Sequence, residues 1–105
     1  MEQRSFRRVN FNAEITVKAK DGVFHGILDN ISMGGLFARV SEPMPVAAGD
    51  TAEIMIPLPG GSRNDSIVVN AMATRTNENG IAFRFLDIDP DALRALFSLI
   101  YHSNI

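Results

Sequence analysis

Cysteine is absent from the 105 residues, so the chain offers neither a disulfide framework nor a thiolate metal site. Histidine is nearly as scarce. His25 and His102 stand far apart and lack the close spacing of a helical metal-binding pair. His25 alternates with its neighbours on a predicted strand and reads as a structural or surface residue. No nucleophile elbow of the GxSxG type and no P-loop lysine is present, so catalysis has no template here. Asp87, Asp89 and Asp91 could suggest a cation site, but capping and the helix dipole explain them more simply. No apolar run approaches the roughly 18 residues needed to span a bilayer. The N-terminus, MEQRSFRRVN, carries the charge of a signal segment without an apolar stretch behind it. The expectation is a cytoplasmic protein with no catalytic residues, no metal and no membrane span.

What is present is ordinary in amount and uneven in distribution. Nearly half the residues are apolar and about a fifth are charged, as in soluble globular domains. The length suits one domain with its own core. The formal net charge is −2, which argues against a general polyanion binder. Arg4, Arg7 and Arg8 against Glu2 nevertheless leave the first eight residues at +2 and the rest of the chain at −4. A short basic arm on an acidic body suits a small, focused anion site. A basic groove with exposed aromatic platforms, which single-stranded nucleic acid would need, is not indicated. The seven Phe and one Tyr fall mostly at core-phase positions.

Periodicity supplies the elements. From Phe11 to Lys20 apolar and polar residues alternate without a break, a half-buried strand. Asp21-Gly22 turns the chain into a second strand, about Val23 to Ile31, and a third follows from Leu36 to Val40. SEPMPVAAGD, with two prolines, reads as a loop. Thr51 to Ile56 resumes the alternation, and PLPGGSRNDS is a second loop, expected to be mobile. Ile67 to Thr76 and Ile81 to Phe85 form a hairpin, with Asn79-Gly80 at its tip. At the end the period changes. Asp89 caps a helix whose first residue is Pro90, and Leu93, Leu96, Phe97 and Ile100 form one apolar stripe. The chain is therefore mostly β: a six-stranded antiparallel barrel with a C-terminal helix, about 89–102. Residues 1–9 are expected to be a flexible arginine-bearing arm, and residues 10–105 the barrel and helix.

One turn is over-equipped. DNISMGG, residues 29–35, joins two apolar strand segments, yet a tight turn needs only a couple of small or polar residues. It holds an Asn-x-Ser-x-x-Gly pattern at Asn30, Ser32 and Gly35. About twenty residues upstream, Arg4 and Arg8 form Arg-x-x-x-Arg. Either pattern alone is weak, since Asn and Ser readily bond their own backbone in turns. Asn30-Ile31-Ser32 also fits a glycosylation sequon, but no secretion signal accompanies it.

Together and in this order, bracketing the first hairpin, the two patterns resemble those of the PilZ domain family in a single stand-alone domain. The downstream NGIAFRF, Asn79 to Phe85, and the closing helix fit as well. The resemblance implies a bacterial receptor for cyclic di-GMP with no further cofactor. It assigns Arg4 and Arg8 to base and phosphate contacts, and Asn30 and Ser32 to guanine and ribose-phosphate. Gly35 would keep the backbone low for the ligand. Asp29 and Arg7 lie beside these positions without an assigned contact. The resemblance further implies signalling to a separate protein partner of the motility, exopolysaccharide or pilus machinery. The alternative is a protein-interaction adaptor of the same family that binds no nucleotide.

Overall fold

The alternating segments become strands, and the computed structural model closes six of them into a barrel. Backbone is described for residues 8–40, 44–58 and 66–102, and side chains within them from Ala13 to Tyr101. The elements are β1 (Arg8–Ala19), β2 (Gly22–Ser32), β3 (Gly35–Arg39), β4 (Thr51–Pro57), β5 (Ser66–Asn77), β6 (Gly80–Phe85) and α1 (Pro90–His102). All neighbours are antiparallel, in the order β1-β2-β3-β6-β5-β4. β4 closes the ring on β1, with Thr16, Val17 and Lys18 opposite Met55, Ile54 and Glu53. The inward phase of every strand fills the interior, as a small barrel requires. Ile15, Leu28, Ile31, Ile54 and Ile56 are wholly buried there.

Strand limits differ from the sequence reading where the alternation is interrupted. β1 begins at Arg8, three residues ahead of Phe11, because a register shift between Asn10 and Ala13 breaks the period over its first pairs. β4 and β5 reach Pro57 and Ser66, which pair with each other, so the intervening loop is shorter than PLPGGSRNDS. Residues 59–65 of that loop lie outside the described residues, as do 41–43 of SEPMPVAAGD and 1–7 of the arm. The described part of the earlier loop latches onto β5: Gly49 N–H donates to Ala73 O, and Ala73 N–H to Asp50 O.

Both glycine turns also shift by one residue. The first hairpin tip is Lys20-Asp21, closed by Ala19 opposite Gly22, whose φ of 145° suits glycine. The last hairpin turns at Glu78-Asn79, not at Asn79-Gly80. Asn77 Oδ1 accepts the N–H groups of Asn79 at 2.7 Å and Gly80 at 3.1 Å, so a side chain makes the turn. Gly80 is needed for a different reason. A Cβ there would lie 2.1 Å from the carbonyl oxygen of Ala38 on the neighbouring strand.

Helix α1 starts as its sequence demands: Asp89 Oδ1 accepts the Ala92 N–H at 3.0 Å, and Leu93 N–H donates to Asp89 O. Its buried face, however, is Ala92, Leu96, Leu99 and Ile100. Leu93 and Phe97, assigned to the core stripe from sequence, are 43% and 50% exposed. Leu96 and Ile100 belong to both stripes, and the helix is rotated by roughly 60° between them, at 3.6 residues per turn. Small Ala92 therefore faces the barrel, and the bulkier Phe97 lies outside with its ring 4.6 Å from that of Tyr101. Leu96→Ala should cost about 2–5 kcal/mol, whereas Leu93→Ala should stay within about 0.5 kcal/mol. Urea denaturation of both variants checks this, and equal losses would contradict the assigned face.

Candidate functional site

Two strand irregularities create the site. In β2 the residues up to Leu28 keep one phase, with Ile27 out and Leu28 in; beyond Asp29 the phase is reversed, with Asn30 turned outward and Ile31 in. The register shift between Leu28 and Asn30 inserts Asp29 as the extra residue, as a β-bulge does. In β5 a matching shift falls between Ala73 and Arg75. It leaves Thr74 and Arg75 both outside, with the Thr74 hydroxyl donating to Ala82 O at 3.3 Å.

Between these bulges a groove of about 450 Å³ crosses the outer face of β2, β3, β6 and β5. Its backbone rows follow from the pairing. Asn30 stands opposite Phe37, Phe37 opposite Ala82, and Ala82 opposite Arg75. In the next row Gly35 stands opposite Arg84, and Arg84 opposite Met72. Phe37 is half-buried on the groove floor, where its ring lies over Gly80.

Three of the five residues singled out from sequence, Asn30, Ser32 and Gly35, line this one groove. Arg8 enters through β1, its backbone opposite Ser32. Arg4 and Arg7 lie outside the described residues. Ser32 is 5% exposed, and its hydroxyl accepts the Gly34 N–H at 3.2 Å and reaches Gly35 O at 3.4 Å. The hydroxyl thus holds the turn and keeps one lone pair over. Asn30 donates from Nδ2 to Asp29 Oδ2 at 3.3 Å, and Asp29 Oδ1 pairs with Arg39 Nε at 3.2 Å. Asp29 is thereby a positioning residue: it faces Arg39 and steadies the amide of Asn30, whose carbonyl oxygen is left over for another partner.

Gly35 has a structural reason besides ligand access. A Cβ there would sit 2.1 Å from the Phe83 carbonyl oxygen, so β3 could not approach β6. The residues that sequence reasoning missed are Thr74, Arg75 and Arg84. Arg84 was legible as an outward position within NGIAFRF. Arg75 was not, because its placement depends on the bulge.

Charge separates this groove from two others on the barrel. A larger one of about 590 Å³ includes Glu14, His25, Arg39 and Glu78, and one of about 390 Å³ includes Lys18, Glu53 and Asp87. Among the described residues, the lining of the Asn30–Arg84 groove has two arginines and no carboxylate. Neither Arg75 nor Arg84 has an ion pair among the described residues. No group of three or more metal-type ligands occurs among those residues either. The arrangement can bind an anion with polar edges.

The sequence matches the PilZ domain family over residues 2–102. The chain belongs to that family. Solved structures agree on the PilZ fold. The Bacillus subtilis inhibitor of motility (MotI/DgrA) is 17% identical, with a TM-score of 0.80 over 95% of this chain and 50% of that one. The PilZ domain of CeSA from a cellulose-synthesizing bacterium is 19% identical, with a TM-score of 0.71 over 90% of this chain and 94% of that one. The present chain therefore spans about half the length of the motility inhibitor. No curated protein matches the sequence. The close β3–β6 approach beneath the PilZ turn makes one outcome specific: Gly35→Ala should destabilise the fold by about 1–3 kcal/mol through overpacking. Denaturation at the parent's midpoint would contradict the contact.

Proposed function

We propose that this PilZ domain is a bacterial, cytoplasmic receptor for cyclic di-GMP. The observation that carries the reading is the groove that gathers Asn30, Ser32 and Gly35 with Arg75 and Arg84, without a carboxylate among the described residues of its lining. The ligand has two phosphodiester charges and two guanines, each with O6 and N7 acceptors on one edge. A guanidinium can fork onto that edge or onto a phosphate, and its plane can stack on a base. The amide oxygen of Asn30, left over by Asp29, suits a guanine N–H donor. The remaining lone pair of Ser32 suits a ribose or base donor. Arg8, on β1 opposite Ser32, and Arg4 are assigned base and phosphate contacts, and the liganded domain signals to a protein partner of the motility, exopolysaccharide or pilus machinery. Binding and release, rather than chemistry on the nucleotide, are the activity.

A second reading, that of a nucleotide-free adaptor, draws support from the exposed Leu93, Phe97 and Tyr101 on one face of α1. Calorimetric titration separates the two. Cyclic di-GMP should bind where GTP, GMP and cyclic AMP at equal concentration do not. Asn30→Ala should weaken it by about 0.5–1.5 kcal/mol, or up to about 3 if the partner group is charged. Arg8→Lys should lose nearly as much as Arg8→Ala, about 10- to 150-fold in Kd, because lysine keeps the charge but not the planar fork. Full affinity in both lysine and alanine variants would sink the arm's role. Absence of binding by the parent would favour the adaptor.

A further inference from the structure

The paired-motif reading engages only one end of the groove. Along the backbone row from Asn30 through Phe37 and Ala82 to Arg75 there are three strand intervals, about 14 Å at the usual spacing between paired strands. Ser32 and Asn30 lie on β2 and Arg8 on β1, whereas Arg75 and Arg84 stand on the opposite wall, on β5 and β6. Both are exposed, line the groove and lack an ion pair among the described residues. Arginines in a sheet's solvent face commonly find a cross-strand carboxylate. The register partners of these two are Ala82 for Arg75, and Gly35 and Met72 for Arg84. The bulge at Thr74 is what turns Arg75 toward the groove. Two guanidiniums are thus held beside the Phe37 floor with no carboxylate from the described residues against them.

We propose that Arg75 and Arg84 form a second cationic subsite, on the β5–β6 wall, that takes the distal phosphodiester and guanine edge of the dinucleotide. The inference rests on the cyclic di-GMP reading and extends it to the half of the ligand that Asn30 and Ser32 do not reach. Guanidinium forks suit both groups, and the Phe37 ring between the two ends offers a flat apolar face on which a base can lie. The ligand then spans the seam between β3 and β6.

The test is calorimetric titration of cyclic di-GMP into the full chain and into Arg75→Ala, Arg84→Ala and the double variant, with Arg94→Ala as the charge control. Arg94 sits on α1, paired with Asp91 and outside the groove. Each wall variant should weaken binding about tenfold or more, as loss of a charge-assisted contact does, with thermal unfolding unchanged. Arg94→Ala should stay within about twofold, since its guanidinium faces Asp91 and does not line the groove. Asn30→Ala combined with Arg75→Ala should give losses that multiply, as for residues more than about 10 Å apart that contact different groups of the ligand. Parent-like affinity in the double wall variant, or equal weakening by Arg94→Ala, would overturn the subsite while leaving the receptor reading intact. A non-multiplying loss would place both residues on one part of the ligand and overturn the distal assignment. Failure of the parent to bind overturns the receptor reading, and the subsite with it.

Discussion

The β3–β6 seam is one of two places where this barrel leaves chain order, and it is held by two missing side chains. At one end of the five-residue β3, a Cβ on Gly35 would collide with the Phe83 carbonyl. At the other end, a Cβ on Gly80 would collide with the carbonyl of Ala38. Glycine permits a backbone approach that no other residue allows. Because the two strands sit this close, Phe37 and Ala82 form a continuous floor, and the residues flanking them become the walls of one groove.

The walls owe their composition to the bulges. Without Asp29 as an inserted residue, β2 would keep its earlier phase and Asn30 would point into the core. Without the shift at Thr74, Arg75 would follow Ala71 and Ala73 inward. Each irregularity exchanges a little ladder regularity for an outward polar side chain at the groove. Asp29, the carboxylate next to Asn30 in sequence, is turned to Arg39 and to the amide of Asn30. At its exposure that ion pair contributes little stability, on the order of 0–1 kcal/mol. Its consequence is orientation: the negative charge is kept out of the groove's lining.

The strands were legible because β1 from Ala13 onward, β4 and β6 alternate strictly, and alternation maps directly onto inside and outside. The NxSxxG residues were legible as a group because a tight turn had no use for so many polar groups. Other features were not. The stripe on α1 was ambiguous because Leu96 and Ile100 belong to two apolar faces, and only packing against the barrel chooses Ala92 over Phe97. The last hairpin tip fell one residue early because Asn77 builds its turn through its own side chain, a local bond that Asn-Gly matching overlooks. Arg75 was invisible because a bulge resets the period without leaving a mark in composition. The start of β1 was hidden for the same reason.

The central claim is that the arginine-bearing groove across β2, β3, β6 and β5 is the binding site, from the NxSxxG turn to the far wall. The most direct measurement is the change in backbone amide resonances on titrating the labelled domain with cyclic di-GMP. The account predicts the largest shifts at Asn30, Ile31, Ser32, Met33, Gly34 and Gly35 and, on the opposite wall, at Arg75 and Arg84. Shifts centred on His25, Glu78 and Asn79 in the larger groove, or none at all, would contradict it.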